Sequence, residues 1–222
     1  MSRSIFVINP NSSASVTTGI DNALAPLRLT DGPKIECHTL TEAPPGIQSE
    51  ADMMQVVPLL STFIHSHEEQ AAGFVIACFS DPGLAMAREA TRLPVFGIGE
   101  SAMLIALTQG QRVGVIAIQP ASISRHMRAW GSMGILSRLA GERALGLNVV
   151  ELIDERKTWM RLLETGQKLR DEDGANVVVL GCAGLAHQRL QLEQALGLPV
   201  VDPCTAAGGM ALAAAHLAAS GK

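Results

Sequence analysis

Apolar, β-branched runs recur along the chain, each broken by turn-forming residues and followed by a helical period. Two of these runs look like copies of one another. One is Gly73-Phe74-Val75-Ile76-Ala77-Cys78-Phe79-Ser80-Asp81-Pro82-Gly83-Leu84, and the other is Asn176-Val177-Val178-Val179-Leu180-Gly181-Cys182-Ala183-Gly184-Leu185. Each begins as a short continuous apolar run, the mark of a strand buried on both faces. Each reaches a cysteine and then breaks into small residues ahead of a helical pattern. In an open parallel α/β sheet, that end of a strand is where ligands bind.

Taken in order, residues 4–8 predict a strand stopped by Asn9-Pro10, with a polar turn to Ser13 and a helix to about residue 27. A strand over 34–40 and a loop over 41–49, carrying Pro44-Pro45-Gly46, lead to a helix over 50–69. Met53, Val56, Val57, Leu60 and Ile64 fall on one face of that helix. The first cysteine strand covers 73–79, and Asp81-Pro82 predicts an N-cap and first helical residue for a helix to 92. A strand over 93–99 and a helix over 100–109 follow. The order then restarts: a strand over 111–118 ended by Gln119-Pro120, a helix over 121–130, and a glycine-interrupted stretch over 131–146 with one short helical piece. A strand over 147–153, a helix over 154–171, the second cysteine strand over 176–181, a helix over 184–196, a strand over 198–202 and an alanine-rich helix over 205–219 complete the chain.

The two halves share one element order, and their landmarks keep similar spacing. Cys78 precedes Pro94 by 16 positions and Cys182 precedes Pro199 by 17. The pattern predicts an α/β protein of two pseudosymmetric halves, each a four-stranded parallel sheet flanked by helices. The expected active site is an interdomain cleft with Cys78 on one wall and Cys182 on the other. The expected domains are residues 1–97 with 206–222, and residues 98–205.

Composition narrows the function classes. A formal net charge of -4 and an aromatic content of 3%, with no tyrosine, argue against a nucleic-acid partner. No apolar run reaches the roughly 18–20 residues of a membrane span. Residues 1–8 are too quickly broken by Asn9-Pro10 for a signal peptide. None of the four cysteines forms a C-x-x-C pair, so no metal or disulfide pattern emerges. A cytoplasmic protein acting on a small molecule, with no membrane partner, is expected.

Two thiols on opposite walls suit one reaction type. A thiolate removes a proton from carbon beside a carbonyl, and a thiol returns one from the other face, inverting the centre. Helix N-termini can bring a thiol towards neutrality, and their N–H groups can hold an enolate oxygen. Backbone N–H groups of Phe79, Ser80, Ala183 and Gly184 are the candidate oxyanion donors, and Gly184 permits close approach. Against this, buried cysteine often serves only as a small hydrophobe. Asn9 and Gln119, read as equivalent strand ends, either hold substrate or cap turns. Pro44-Pro45-Gly46 forms either a lid, with Gly46 near substrate, or a plain surface loop. Asp81 is expected to cap its own helix. Cys37 is expected in the core, whereas Cys204, His126 and His187 stay unassigned. His65 and His67 make a poor metal pair.

At these residues the chain resembles the aspartate/glutamate racemase superfamily, and more closely its hydantoin racemase group, which includes allantoin racemases. The resemblance rests on Asn9-Pro10-Asn11-Ser12, the stretch from Ala77 to Leu84, Arg88-Glu89, Pro94-Val95-Phe96-Gly97-Ile98 and Leu180-Gly181-Cys182-Ala183-Gly184. It implies flavodoxin-like domains with the last helix returning to the first, cofactor-independent racemisation by two cysteines, no metal, and a homo-oligomer. Glutamate and aspartate racemases usually carry Asn-Thr after the first cysteine and Thr then His or Glu after the second. Phe79-Ser80 and Ala183-Gly184 stand there instead, which favours a neutral ring over a zwitterion. Arylmalonate decarboxylases keep only the second cysteine, so Cys78 argues against that activity. Maleate isomerase-like or amino-acid racemase chemistry remains as an enzymatic alternative, and a ligand-binding or thiol-redox module as a non-enzymatic one.

Overall fold

The computed structural model describes residues 3–147 and 150–220. The chain divides into two compact units, Met1–Ser101 with Cys204–Lys222, and Ala102–Pro203. Unit 1 contains β1 (Ser4–Asn9), α1 (Ala14–Leu24), β2 (Lys34–Thr39), α2 (Glu50–His67), β3 (Ala71–Ile76), α3 (Leu84–Ala90) and β4 (Val95–Gly97). Helix α4 (Ile98–Gln109) starts in unit 1 and runs into unit 2. Unit 2 continues with β5 (Val113–Ala117), α5 (Pro120–Ser132), β6 (Leu139–Ala144), α6 (Glu155–Asp171), β7 (Val177–Leu180), α7 (Arg189–Leu196) and β8 (Val200–Val201). Helix α8 (Pro203–Ser220) returns the chain to unit 1.

Both sheets are parallel and share one order, β2-β1-β3-β4 and β6-β5-β7-β8. In each, the first and third strands are the central pair, and their connections leave towards opposite edges. That arrangement opens a crevice at the carboxyl ends of β1 and β3, and likewise of β5 and β7. Of the central strands, β1, β5 and β7 are buried along their lengths and β3 is buried but for Ala72, as their continuous apolar runs require. Phe6, Ile8, Phe74 and Ile76 pack under Val56, Leu60 and Ile64 of α2. Helix α2 starts in a capping box, in which the Ser49 hydroxyl accepts from the Asp52 N–H and the Asp52 carboxylate accepts from the Ser49 N–H.

One expected strand is misplaced. Residues 147–153 do not supply the edge strand of unit 2. Leu139–Ala144 does, pairing with β5, while Val150–Ile153 is a 3-10 turn and residues 148 and 149 lie outside the described residues. The apolar run that suggested a strand fills the core from a non-strand segment, through Leu147 and Leu152. Strand β6 hides its nature because Glu142 and Arg143 interrupt it. Glu142 is held by Trp130 Nε1 at 3.1 Å and His126 Nδ1 at 2.5 Å, with side-chain exposures of 4% for His126 and 1% for Glu142. Arg143 reaches Asp173 and Glu172 at the surface.

These two charges differ in what their loss should do. Glu142→Ala takes the acceptor away from two buried ring nitrogens, Trp130 Nε1 and His126 Nδ1, so it is expected to lower unfolding stability by about 3 kcal/mol. Arg143→Ala, which breaks pairs at the surface, should leave stability nearly unchanged. Urea denaturation of the two variants measures the difference.

Candidate functional site

The ladder register aligns the two cysteines to the residue. Ile8 is paired with Ile76, and the Ala77 N–H then donates to the Ile8 carbonyl at 2.8 Å. Ile116 is paired with Leu180, and the Gly181 N–H donates to the Ile116 carbonyl at 2.8 Å. The residue after each of these bonds is the cysteine. Cys78 and Cys182 therefore hold one station in their respective units, just past the third strand and beside the crevice. Both are partly exposed.

The loop after Cys78 is tightly built. The Asp81 N–H donates to the Cys78 carbonyl at 2.9 Å, closing a turn, and Asp81 itself takes φ 46°. A left-handed conformation costs a non-glycine residue about 1–2 kcal/mol. The side chain offsets that cost: its carboxyl accepts the N–H groups of Gly99 at 2.9 Å and Glu100 at 2.7 Å. Asp81 thus caps α4 and not, as its sequence position suggested, the helix that follows it. Gly83, at φ 68°, stands before α3. Gly97 and Gly99 make room, since a Cβ at Gly97 would fall 2.3 Å from Asp81 Cγ and one at Gly99 would fall 2.2 Å from the Phe79 carbonyl oxygen. Arg88 braces the same corner, with Nε on the Val95 carbonyl and its guanidinium on both oxygens of Glu100.

The Cys182 loop is built differently. Gly181 is required because a Cβ there would fall 2.4 Å from the Ile116 carbonyl oxygen. A 3-10 turn, Ala183–Gln188, follows, with the Gly184 N–H donating to Cys182 Sγ at 3.4 Å. Gly184 is not demanded by packing. A Cβ there would stand 3.7 Å from Cys182 Sγ and 3.6 Å from Leu152 Cδ1, so its absence leaves open space against the sulfur.

The pattern that defines Asp/Glu/Hydantoin racemases matches residues 5–211 of this chain. The chain belongs to the Asp/Glu/Hydantoin racemase family. It is an isomerase of the racemase type. A hydantoin racemase of Rhizobium meliloti is 36% identical over 210 residues, covering 93% of this chain and 86% of that relative. Among solved structures, an allantoin racemase from Klebsiella pneumoniae superimposes with a TM-score of 0.91 at 31% identity, over 98% of this chain and 89% of that one. A glutamate racemase from Bacillus anthracis shares the fold, with a TM-score of 0.74 at 17% identity over 99% of this chain and 83% of that one.

The electrostatics of the racemase depart from one expectation. Helix N-termini were expected to bring the thiols towards neutrality. Burial instead pushes the Cys182 thiol up to about 11, opposed by the Gly184 N–H and reinforced by the charge of Asp202. A 3-10 turn offering one N–H does not match the desolvation of the sulfur. Cys37 is pushed up to about 12 by burial and by Asp21, as befits a strand cysteine away from the crevice. Cys204 is buried as the second residue of α8. His187 is exposed, and His126 belongs to the Glu142 network.

The remaining expected site residues fall in two groups. Phe79, Ser80, Ala183 and Gly184 lie on the cysteine loops, with the side chains of Phe79 and Ala183 buried. Asn9 ends β1 in full burial, and its amide is engaged in its own turn. Its nitrogen donates to Asn11 Oδ1, the Ser13 carbonyl and Thr17 Oγ1, and its oxygen accepts the Asn11 N–H. Gln119 is not its register equivalent. It stands two residues past the end of β5, because the chain goes on pairing with Leu145 and Gly146, and its amide donates to the Leu147 carbonyl at 2.8 Å. Gly46 is half-buried in a loop pinned to the Asn9 turn, where the Ser12 N–H donates to the Pro44 carbonyl at 3.0 Å. Among the described residues, no three of His, Cys, Asp or Glu come close enough together to hold a metal ion.

The glycines sort by role under substitution. Gly99→Ala and Gly181→Ala drive a methyl into backbone and should each cost about 2 kcal/mol or more, measured by denaturation. Gly184→Ala should leave stability within about 0.5 kcal/mol while lowering turnover. Alkylation of Cys182 by iodoacetamide, followed by peptide mass spectrometry, should rise about tenfold per pH unit from pH 7 and level off only near 11, since only the thiolate reacts and it forms as pH rises through the raised value.

Proposed function

We propose that this racemase inverts the C5 stereocentre of a 5-substituted hydantoin, or of the related ring of allantoin, by proton transfer between Cys78 and Cys182. The observation that carries the reading is the register: each unit offers one cysteine at one and the same station past its third strand. Inversion needs one base and one acid on opposite faces of a planar intermediate, and a duplicated fold offers one group from each copy. The relatives named hydantoin racemase and allantoin racemase support this substrate class. The loops support it too, since Phe79-Ser80 and Ala183-Gly184 bring little polarity for a free amino acid.

In the forward direction the Cys78 thiolate takes the C5 proton, and the electron pair moves onto the adjacent carbonyl oxygen as an enolate. The Cys182 thiol then gives its proton to the opposite face, leaving Cys78 as thiol and Cys182 as thiolate. The other hand runs the same steps in reverse. Backbone N–H groups of the two cysteine loops stabilise the enolate oxygen. The scheme calls for no metal or organic cofactor. A thiol at about 11 makes Cys182 the resting acid. The cycle then closes through solvent: Cys182 takes a proton back and Cys78 gives up the one it abstracted.

The test is deuterium exchange at C5 in D2O, with optical rotation, on single enantiomers of allantoin, 5-benzylhydantoin and 5-isobutylhydantoin. Cys78→Ala and Cys182→Ala should each slow racemisation by about a thousandfold or more. A variant of either cysteine that racemises at the wild-type rate would refute the scheme.

A further inference from the structure

The ladders of β4 and β8 extend the register comparison beyond the cysteines. Phe74 pairs with Val95 and Val178 pairs with Val200. Gly97 and Asp202 are each two residues further on, and each immediately precedes a helix, α4 at Ile98 and α8 at Pro203. They are one position in two units. At Gly97 the chain has no side chain, but the space is filled: a Cβ there would lie 2.3 Å from Asp81 Cγ and 2.5 Å from both its oxygens. Asp81 therefore places its carboxyl where residue 97 would carry one. From there it accepts the N–H groups of Gly99 and Glu100, the bonds an N-cap carboxylate makes. At the same position in the other unit the strand brings its own carboxyl, Asp202, which is 2% exposed.

We propose that Asp81 and Asp202 are positioning residues for Cys78 and Cys182, a single carboxyl station filled from the cysteine loop in one unit and from the strand in the other. The inference rests on the two-cysteine reading above. Asp81 acts mechanically. Its N–H closes the turn on the Cys78 carbonyl and its carboxyl anchors that turn to α4, so the loop cannot move without breaking the cap. Burial pushes its carboxyl up to about 7, opposed by the two N–H groups and Arg88 and reinforced by the charge of Glu100. Asp202 acts through charge on the sulfur of Cys182. A duplicated fold thereby holds two unequal thiols.

The test uses Asp81→Asn, Asp81→Gly and Asp202→Asn in the full-length protein. The glycine variant tolerates the left-handed backbone while losing the anchor, which separates loop placement from folding. Alkylation of each cysteine by iodoacetamide across pH 6–11 is read by peptide mass spectrometry, beside thermal unfolding. Asp202→Asn should move the Cys182 profile to lower pH, raising its rate at pH 8 severalfold, and leave Cys78 unchanged. Both Asp81 variants should change the Cys78 rate at least threefold and leave Cys182 unchanged. On a substrate that wild type turns over, kcat should fall more than tenfold with KM within threefold. If folded variants leave both alkylation profiles within twofold of wild type, the assignment is overturned. Altered profiles in a protein whose wild type exchanges no hydantoin would uphold the positioning roles and refute the proposed substrate instead.

Discussion

One backbone hydrogen bond, made once in each unit, governs where the chemistry stands. The Ala77 N–H on Ile8 and the Gly181 N–H on Ile116 are the last rungs between the central strands, and each leaves a cysteine as the first residue past the ladder. Everything around these rungs protects their geometry. Gly181 has no side chain because the Ile116 carbonyl would meet it. On the other side, Gly97 and Gly99 yield their space to Asp81 and to the Phe79 carbonyl. The two loops reach one result by different means, a strained turn held by a carboxyl in unit 1 and a glycine with a 3-10 turn in unit 2.

The sequence was most legible where one residue type carried one physical role. Continuous apolar runs announced the central strands, and the cysteines with their small-residue turns marked the crevice. The edge strand β6 was not legible, because Glu142 and Arg143 look like loop residues until their partners, His126, Trp130 and Asp173, are known. Those partners lie 12 to 30 positions away. Asp81 misled for a related reason. An Asp-Pro pair reads as a local cap, and only the absence of side chains at Gly97 and Gly99 hinted that its carboxyl was needed 18 residues on. Pro10 and Pro120 looked equivalent, but β5 continues its pairing further than β1 and so displaces Gln119 from the place of Asn9.

The contest between burial and hydrogen bonding sets the character of the cysteine loops. A carboxyl at Asp81 is pushed up to about 7 by burial even with two N–H donors on it, and Cys182 is pushed up to about 11 with one. Low local polarity disfavours charge on the resting protein. The same surroundings strengthen any dipole aimed at charge that develops during reaction, since little water competes for it.

The chain leaves unit 1 near the start of α4 and comes back only at α8, so unit 2 is one uninterrupted segment and unit 1 is not. Helix α8 belongs to the core of unit 1: Cys204, Ala207 and Ala211 are buried, and a Cβ at Gly208 would lie 2.6 Å from Leu24 of α1. During synthesis from the amino end, residues 1–101 therefore emerge without the helix that packs on Leu24 of α1. Unit 2 has all its own strands in hand before that helix arrives. The order of translation and the order of structural completion are thus inverted: unit 1 begins first and is completed only after unit 2, when Cys204 and the residues that follow it reach Leu24.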